Sequence, residues 1–348
     1  WIKPRISKKQ MMNYEKPAMC VREITERETS LWDAFIQDSP QGSLFASSIW
    51  KNVIERATSS KQRIFAVWKN DKILGGAVLT EKKQIGKLAA LNALLSPYLG
   101  FALPPSASSK ISERMSAEHE TLKTLAEFLE KQYAQIDINN YPTLIDLRPL
   151  IERGWSVRPR YTYLLDVSEP EKLWAGFDGN IRQAIKKGEK AGFQHGEMNC
   201  PPSEIYELLQ QTLTKNGGKN PIEESLVREI ATAPEIQNRV IFGARADDNQ
   251  LISVIICVWD RRRAYYLLAA NNPKHLSSGA SSLLIWELAQ HLASLGIPEL
   301  DFIGANIPGI ARFKEGFNPR LETYYRLERW TSLPFRAVKK AGQKILGR

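Results

Sequence analysis

The chain has 348 residues, 43% of them apolar, and 48 Lys and Arg against 38 Asp and Glu give a net charge of +10. That length allows two hydrophobic cores, and the charge draws in anions such as nucleotides, phosphorylated lipids, RNA or an acidic surface. Apolar runs such as "LISVIICVW" (251–259) fall well short of a bilayer-crossing helix, no basic-then-apolar leader precedes a small-residue cleavage site, and Cys20, Cys200, Cys257 and the four histidines lack zinc-ligand spacing, so the expectation is a soluble, cytoplasmic protein with no metal.

In chain order, the basic "WIKPRISKKQ" (1–10) reads as a solvated tail or a polyanion contact. "IFAVWKNDKILGGAVLT" from Ile64 is two apolar strands around a polar turn. "SERMSAEHETLKTLAEFLEKQY" (112–133) spaces Leu122, Leu125 and Leu129 for a helix, and "QIDIN" from Gln135 and "YTYLLDV" (161–167) are strands. Ser168 with Glu171 predicts a capped helix, followed by helix from Asn180 to Gly192 and another over 201–217. Arg182, Lys186 and Lys190 fall on one helical face, which is either solvated or a clamp for a diphosphate or an RNA backbone. From Val240 the pattern repeats: strands around a polar turn, a third strand after "DRRR", a helix over 279–296 with Leu284, Leu288 and Leu292, the strand "ELDFI", and the strand "TYYRLER" (323–329). Asp137 and Asp301 sit 164 residues apart in corresponding strands, each followed by Asn-x-Pro and a Gly-aromatic pair. This degenerate repeat predicts duplicated α+β domains over 21–165 and 166–330, the second with a helical insertion near 169–217, and a basic tail over 331–348 that forms a short amphipathic helix and could touch an acidic membrane surface.

Between the last strand of the meander and its helix lies "NNPKHLSSGASSLL" (271–284). Ser277, Ser278, Gly279 and Ala280 leave helix-start amides unobstructed, with Lys274 and His275 beside them, so the loop is either a well-capped helix start or a phosphate site. Neither GxGxxG nor GxxxxGK[ST] occurs. Cys257 reads as a buried core thiol, and no cysteine is expected to act as a nucleophile.

The stretches "SPQGSLFASSIWKNVI" (39–54), "ALLSPYLGFALP" (93–104), "RPRYTYLLDVSEPEKLWAGFDGNIRQAIKKGEKAGF" (158–193) and "DFIGANIPGIARFKEGFNP" (301–319) resemble the GNAT-fold acyltransferase superfamily, within it the double-domain FemAB-like branch. The resemblance implies tandem GNAT-like domains with mixed sheets. It also implies transfer of an acyl or aminoacyl group from acyl-coenzyme A or aminoacyl-tRNA to an amine of a peptidoglycan or polysaccharide precursor, on the cytoplasmic side and at or near the inner face of the membrane. "HLSSGAS" (275–281), carrying one glycine and no leading arginine, stands where the coenzyme A loop belongs and leaves the donor open. In the Phe-Lys-x-Gly-Phe pattern the resemblance places Lys314 at the donor–acceptor junction, emerging between Phe313 and Phe317, which fix the turn by burial. Glu315 and Asp301 are candidate proton acceptors, Asp301 alternatively a cap for neighbouring amides, and Asn306 orients an acyl carbonyl or stabilises its turn. Trp50, Tyr98, Arg160, Arg182, Lys186 and Phe313 are the candidate acceptor contacts, with core packing the alternative for the aromatics. Two other readings stand beside this one: a coenzyme A-dependent N-acetyltransferase for a small metabolite or sugar, and a non-catalytic protein binding RNA or a phosphorylated ligand.

Overall fold

A computed structural model describes residues 18–106, 108–214 and 220–345; the basic segment 1–10 lies outside them. The first half runs β1 (Cys20–Glu23), α1 (Thr29–Asp38), α2 (Ser48–Ala57), β2 (Lys61–Lys69), β3 (Lys72–Gln84), β4 (Lys87–Leu91), β5 (Phe101–Ala102), α3 (Ile111–Gln132), β6 (Gln135–Asn139), α4 (Arg148–Glu152) and β7 (Ser156–Asp166). The second runs α5 (Pro170–Gly176), α6 (Gly179–Lys190), β8 (Gln194–Glu197), α7 (Pro202–Thr214), α8 (Glu224–Thr232), β9 (Arg239–Arg245), β10 (Leu251–Trp259), β11 (Ala264–Asn271), α9 (Ala280–Ser294), β12 (Glu299–Asp301), α10 (Pro308–Glu315), β13 (Arg320–Trp330) and α11 (Leu333–Ile345).

All thirteen strands join one sheet, in the order β1-β2-β3-β4-β6-β13-β7-β12-β11-β10-β9-β8, with β5 attached to β3. Read from either edge, the order is the same: four strands, a crossover through a helix, a strand parallel to the fourth, and then the centre. The parallel pairs are β4 with β6 and β11 with β12. The strand order therefore repeats, with Asp137 and Asp301 each the third residue of the strand after the crossover helix.

The two halves expected over 21–165 and 166–330 share strands at the centre of the sheet. β7, the last strand of the first half, pairs with β12 through Leu164 opposite Asp301, while β13 returns to pair with β6 from Arg326 opposite Asn139 to Trp330 opposite Gln135. β7 and β13 also pair with each other along their length, Arg320 opposite Leu164 through Glu328 opposite Ser156. Each half thus supplies the strand that completes the other.

The pleat sends alternate residues of a central strand to opposite faces. In β2, Ile64, Ala66 and Trp68 join a core with α1 and α2, while Phe65 and Val67 join another with α3. The first of these cores is shared: Trp32, Val53 and Ile54 of the first half and Leu226, Val227 and Ile230 of the second bury one continuous apolar volume. The helices α5, α6 and α9 cover the other face of the second half through Leu173, Ile185, Leu284 and Leu288. Ser168 does not cap α5 as predicted; its hydroxyl donates to Asp166, and α5 starts at Pro170 without a side-chain cap. The tail is not simply solvated, because Phe335 is buried against Trp330 and the Lys339 ammonium lies over that ring.

Candidate functional site

β12 is only three residues long, and the chain breaks sharply after it. Ile303 and Gly304 both take left-handed backbone conformations, at φ 50° and 89°. A β-branched residue in that region is strained and persists only where its surroundings hold it. Here they do. Asp301, fully buried, accepts from the Thr162 hydroxyl (2.6 Å), the Tyr98 hydroxyl (2.8 Å) and the Ile303 amide (2.8 Å). Thr162 Oγ1 accepts from the Gly304 amide (3.0 Å), and the carbonyls of Phe302, Ile303 and Gly304 all converge on the Lys314 ammonium at 2.7, 3.4 and 2.9 Å.

This geometry corrects the prediction for "RFKEGF". Lys314 does not emerge between two buried rings: its side chain is buried and turned inward, where it clasps the broken strand end to α10. Burial pulls its pKa down to about 8, opposed by the charge of Asp301. Phe317 is fully buried, whereas Phe313 stands partly in solvent and meets Phe317 edge-on at 5.4 Å. The reason is helical phase: α10 turns Ala311 and Lys314 to the core, leaving Phe313 outward. Asp301, burdened by desolvation that raises its pKa, is committed to three donors with the Arg263 guanidinium 3.7 Å away, which suits a structural pivot better than an accessible base. Glu315 is exposed and accepts from the Tyr163 hydroxyl at 2.6 Å.

The break delivers Asn306 to the surface. Its side chain imitates a strand, donating to the Tyr161 carbonyl (3.1 Å) and accepting from the Tyr161 amide (3.3 Å). Next to it opens a polar cleft of about 340 Å³ lined by Leu91, Asn92, Asp137, Asn139, Arg160, Asn306 and Arg326. The cleft lies where the carboxyl ends of β4 and β6 part, beside the exchanged strands. The main chain of Asn92 still bonds to the Asp137 carbonyl, but its side chain already holds the departing loop through the Ser96 carbonyl. Arg326 is neutralised by Asp137 in a two-point pair, with Nε to Oδ1 at 2.6 Å. Arg160 has no ion-pair partner among the described residues and is the free positive charge of the cleft. The pair Asp137–Arg326 is the counterpart of Asp301–Thr162, both partners displaced by 164 residues. One of these contacts is sealed in the core, and the other lines the cleft.

The other predicted contacts scatter. Trp50 is core, donating through Nε1 to Ser96, and Tyr98 is buried against Asp301, Tyr141 and Tyr324, so neither ring offers a stacking face. Arg182 donates to the carbonyls of Phe177 and Ala175, and Lys186 stays exposed on α6. At the start of α9, Gly279 adopts φ 91° and packs so closely on α6 that a Cβ there would lie 2.1 Å from the Ala184 carbonyl. Lys187 donates to the Ser277 carbonyl, Ser278 Oγ accepts from the Ala280 amide, and Ala280 is buried, while Lys274 and Ser277 are exposed and His275 is half-buried. α6 therefore covers much of the approach to this helix start. Sequence reasoning missed Thr162, Arg326 and Asp137 as members of paired contacts; the shared 164-residue displacement was the signal that could have found them.

Residues 176–315 match the model of the acetyltransferase (GNAT) domain family. The fold of the chain is GNAT-like. Among solved structures, this chain is similar to FemX at 14% identity and TM-score 0.64, covering 88% of this chain and 96% of that one. It is also similar to L-PGS from Bacillus licheniformis at 13% identity and TM-score 0.54, covering 91% and 96%. A tandem GNAT protein from the clavulanic acid biosynthesis pathway matches at 13% identity and TM-score 0.54, over 90% and 99%. No curated protein sequence gives a significant match. No helix among the described residues is long and apolar enough to cross a membrane, and no group of three or more His, Cys, Asp or Glu among them could hold a metal ion.

Proposed function

We propose that this GNAT-fold protein transfers an acyl or aminoacyl group to an amine of a cell-envelope precursor, holding an anionic part of that acceptor at Arg160. The observation that carries the reading is the open polar cleft beside the exchanged strands, with one unpaired guanidinium and a strained, tightly held strand break at its wall. A carboxylate or phosphate there gains a charge-assisted hydrogen bond without displacing an existing partner. The FemAB-like resemblance of the sequence, together with the full-length likeness to FemX and L-PGS, supports an envelope acceptor.

In the transfer, the amine lone pair forms the new C–N bond, the bond from the acyl carbon to its carrier breaks, and one proton leaves the nitrogen. Glu315, exposed and bound by a single hydroxyl, retains lone pairs for that proton; Asp301 has no such access. An acyl thioester on Cys200 or Cys257 is disfavoured: burial pushes the Cys200 thiol up to about 11 and the Cys257 thiol higher still, so neither supplies a thiolate near neutrality. For the donor we take aminoacyl-tRNA over coenzyme A, because α6 packs against the start of α9 at Gly279 and its loop is already bonded by Lys187 and Ser278. The test offers charged tRNA and acyl-coenzyme A separately with envelope precursors, and follows acceptor mass. Transfer from charged tRNA that falls at least roughly tenfold in Arg160→Ala is expected, because one charge-assisted contact is worth more than about 1.4 kcal/mol. Modification of a small free metabolite in place of any envelope amine would overturn the acceptor, and tight coenzyme A binding by calorimetry would overturn the donor.

A further inference from the structure

Beside the cleft, α10 turns an apolar face to water. Ile307, Ile310 and Phe313 are 62%, 49% and 36% exposed, and the Tyr161 ring, tied to this segment through the Asn306 side chain, is 38% exposed. Ile310 and Phe313, three residues apart, share the outer side of a helix whose inner side is occupied by Ala311 and Lys314; Ile307 caps its start. Isolated surface leucines or isoleucines are ordinary, but several large apolar groups gathered on one short element mark a contact surface. Nothing in the folding of this segment needs them outside, because the Lys314 clasp and Phe317 already fix it from within.

Two guanidinium groups flank this face. Arg312, between Ile310 and Phe313, is exposed and makes no ion pair among the described residues, and Arg160 opens the adjacent cleft. The Gly316 carbonyl at the end of α10 accepts from the amide of Asp178, whose carboxylate stands exposed at the start of α6. The carboxylate in this segment, Glu315, is held by Tyr163. Apolar side chains at the centre, an aromatic hydroxyl at the edge and unpaired guanidinium groups around them are the composition of a helix that lies in the headgroup region of an anionic bilayer.

We infer that the α10 face, Ile307, Ile310 and Phe313 with Arg312, docks the protein on the surface of an anionic phospholipid membrane and brings the mouth of the Arg160 cleft to the lipid interface. The inference concerns binding and does not depend on the transfer reaction. Cosedimentation of the full chain with phosphatidylcholine vesicles containing phosphatidylglycerol, and with pure phosphatidylcholine vesicles, reads it directly. Binding is expected only to the anionic vesicles. It should fall by roughly tenfold or more in the double variant Ile310→Glu, Phe313→Glu and by less in Arg312→Gln, and Ile310→Glu alone, at the more exposed position, should weaken it with thermal denaturation unchanged. Wild-type protein that binds neither vesicle would overturn the assignment. So would binding that survives the double substitution but is lost in Arg336→Glu, which would move the contact to α11. A dimer seen by light scattering and dissolved by the same double substitution, with no vesicle binding, would give the face to a second copy instead.

Discussion

Lys314 directs its ammonium at three backbone carbonyls of a strained turn, and that arrangement changes what its substitution reports. Lys314→Met keeps the stem but leaves the carbonyls of Phe302, Ile303 and Gly304 without their donor in a buried site. The expected cost is on the order of 2 kcal/mol in denaturant unfolding, with activity lost through the displaced Asn306 turn rather than through a missing catalytic charge. The same residue gives stability a pH signature. Its pKa in the fold, about 8, lies below the ordinary 10.5, so between those values the unfolded chain binds more protons. The stability it contributes is lowest below pH 8 and rises from there to about 10.5. The wild-type minus Lys314→Met difference, measured by denaturant titration across that range, should rise with pH; a flat difference would contradict the assignment. Arg160→Ala, by contrast, removes a guanidinium with no internal partner, so transfer should fall while the melting temperature stays put. The sequence made Lys314 and Arg160 visible, the first through a motif and the second through its place next to a strand. It could not show that one points inward and the other outward, because a Phe-Lys-x-Gly-Phe string reads alike whichever face of the helix meets the core.

At the level of elements, α6 illustrates how a correct helix can carry a wrong assignment. Its boundaries and basic face were legible from spacing, and so was the helix at 280–294. That the two cross at Gly188 and Gly279 was not, because close backbone approach depends on partners far apart in the chain. Gly279 is needed twice, for its positive φ and for the room it leaves Ala184. Gly279→Ala should therefore lower stability by roughly 3 kcal/mol, read from thermal or denaturant midpoints, whether or not any phosphate binds nearby. An unchanged midpoint would mean that α6 can back away from α9. Helix α10 was read as a turn for a related reason: "NIPGIARFKEGF" has Pro308 at the helix start and Gly316 just beyond its end, which bracket only eight residues. The edge strand β8 escaped notice altogether, since "QHGE" carries no apolar alternation and is held by its pairing with β9 and by the contact of His195 with Glu287 on α9.

Across the whole molecule, the repeat was legible because strands, crossover helices and aspartates recur in order. The exchange was not, because a strand's sequence states which faces it buries and not which neighbour it bonds. β7 and β13 stand at corresponding places in the repeat, each after the strand that follows a crossover helix. The joint core of α1, α2, α7 and α8 further binds the halves, with Arg56 paired to Glu229 and Glu235 and the Ser225 hydroxyl donating to the Ala57 carbonyl across the seam. Unfolding should accordingly be a single cooperative transition in calorimetry. Two resolved transitions, one for each half, would show that the shared core does not couple them.

The central position of β13 also fixes an order of events during synthesis. Residues 320–330 leave the ribosome after every other strand, yet they occupy the slot between β6 and β7. Until they arrive, β6 and β7 each present an unpaired edge in the middle of the sheet, the kind of edge that templates association with other chains. β7 must also wait for β12, more than a hundred residues later, before its opposite edge is covered. The nascent chain therefore carries its most adhesive surface at its centre until the last strand threads home, and a chain stalled before Arg320 should accumulate with chaperones as an open, self-associating form.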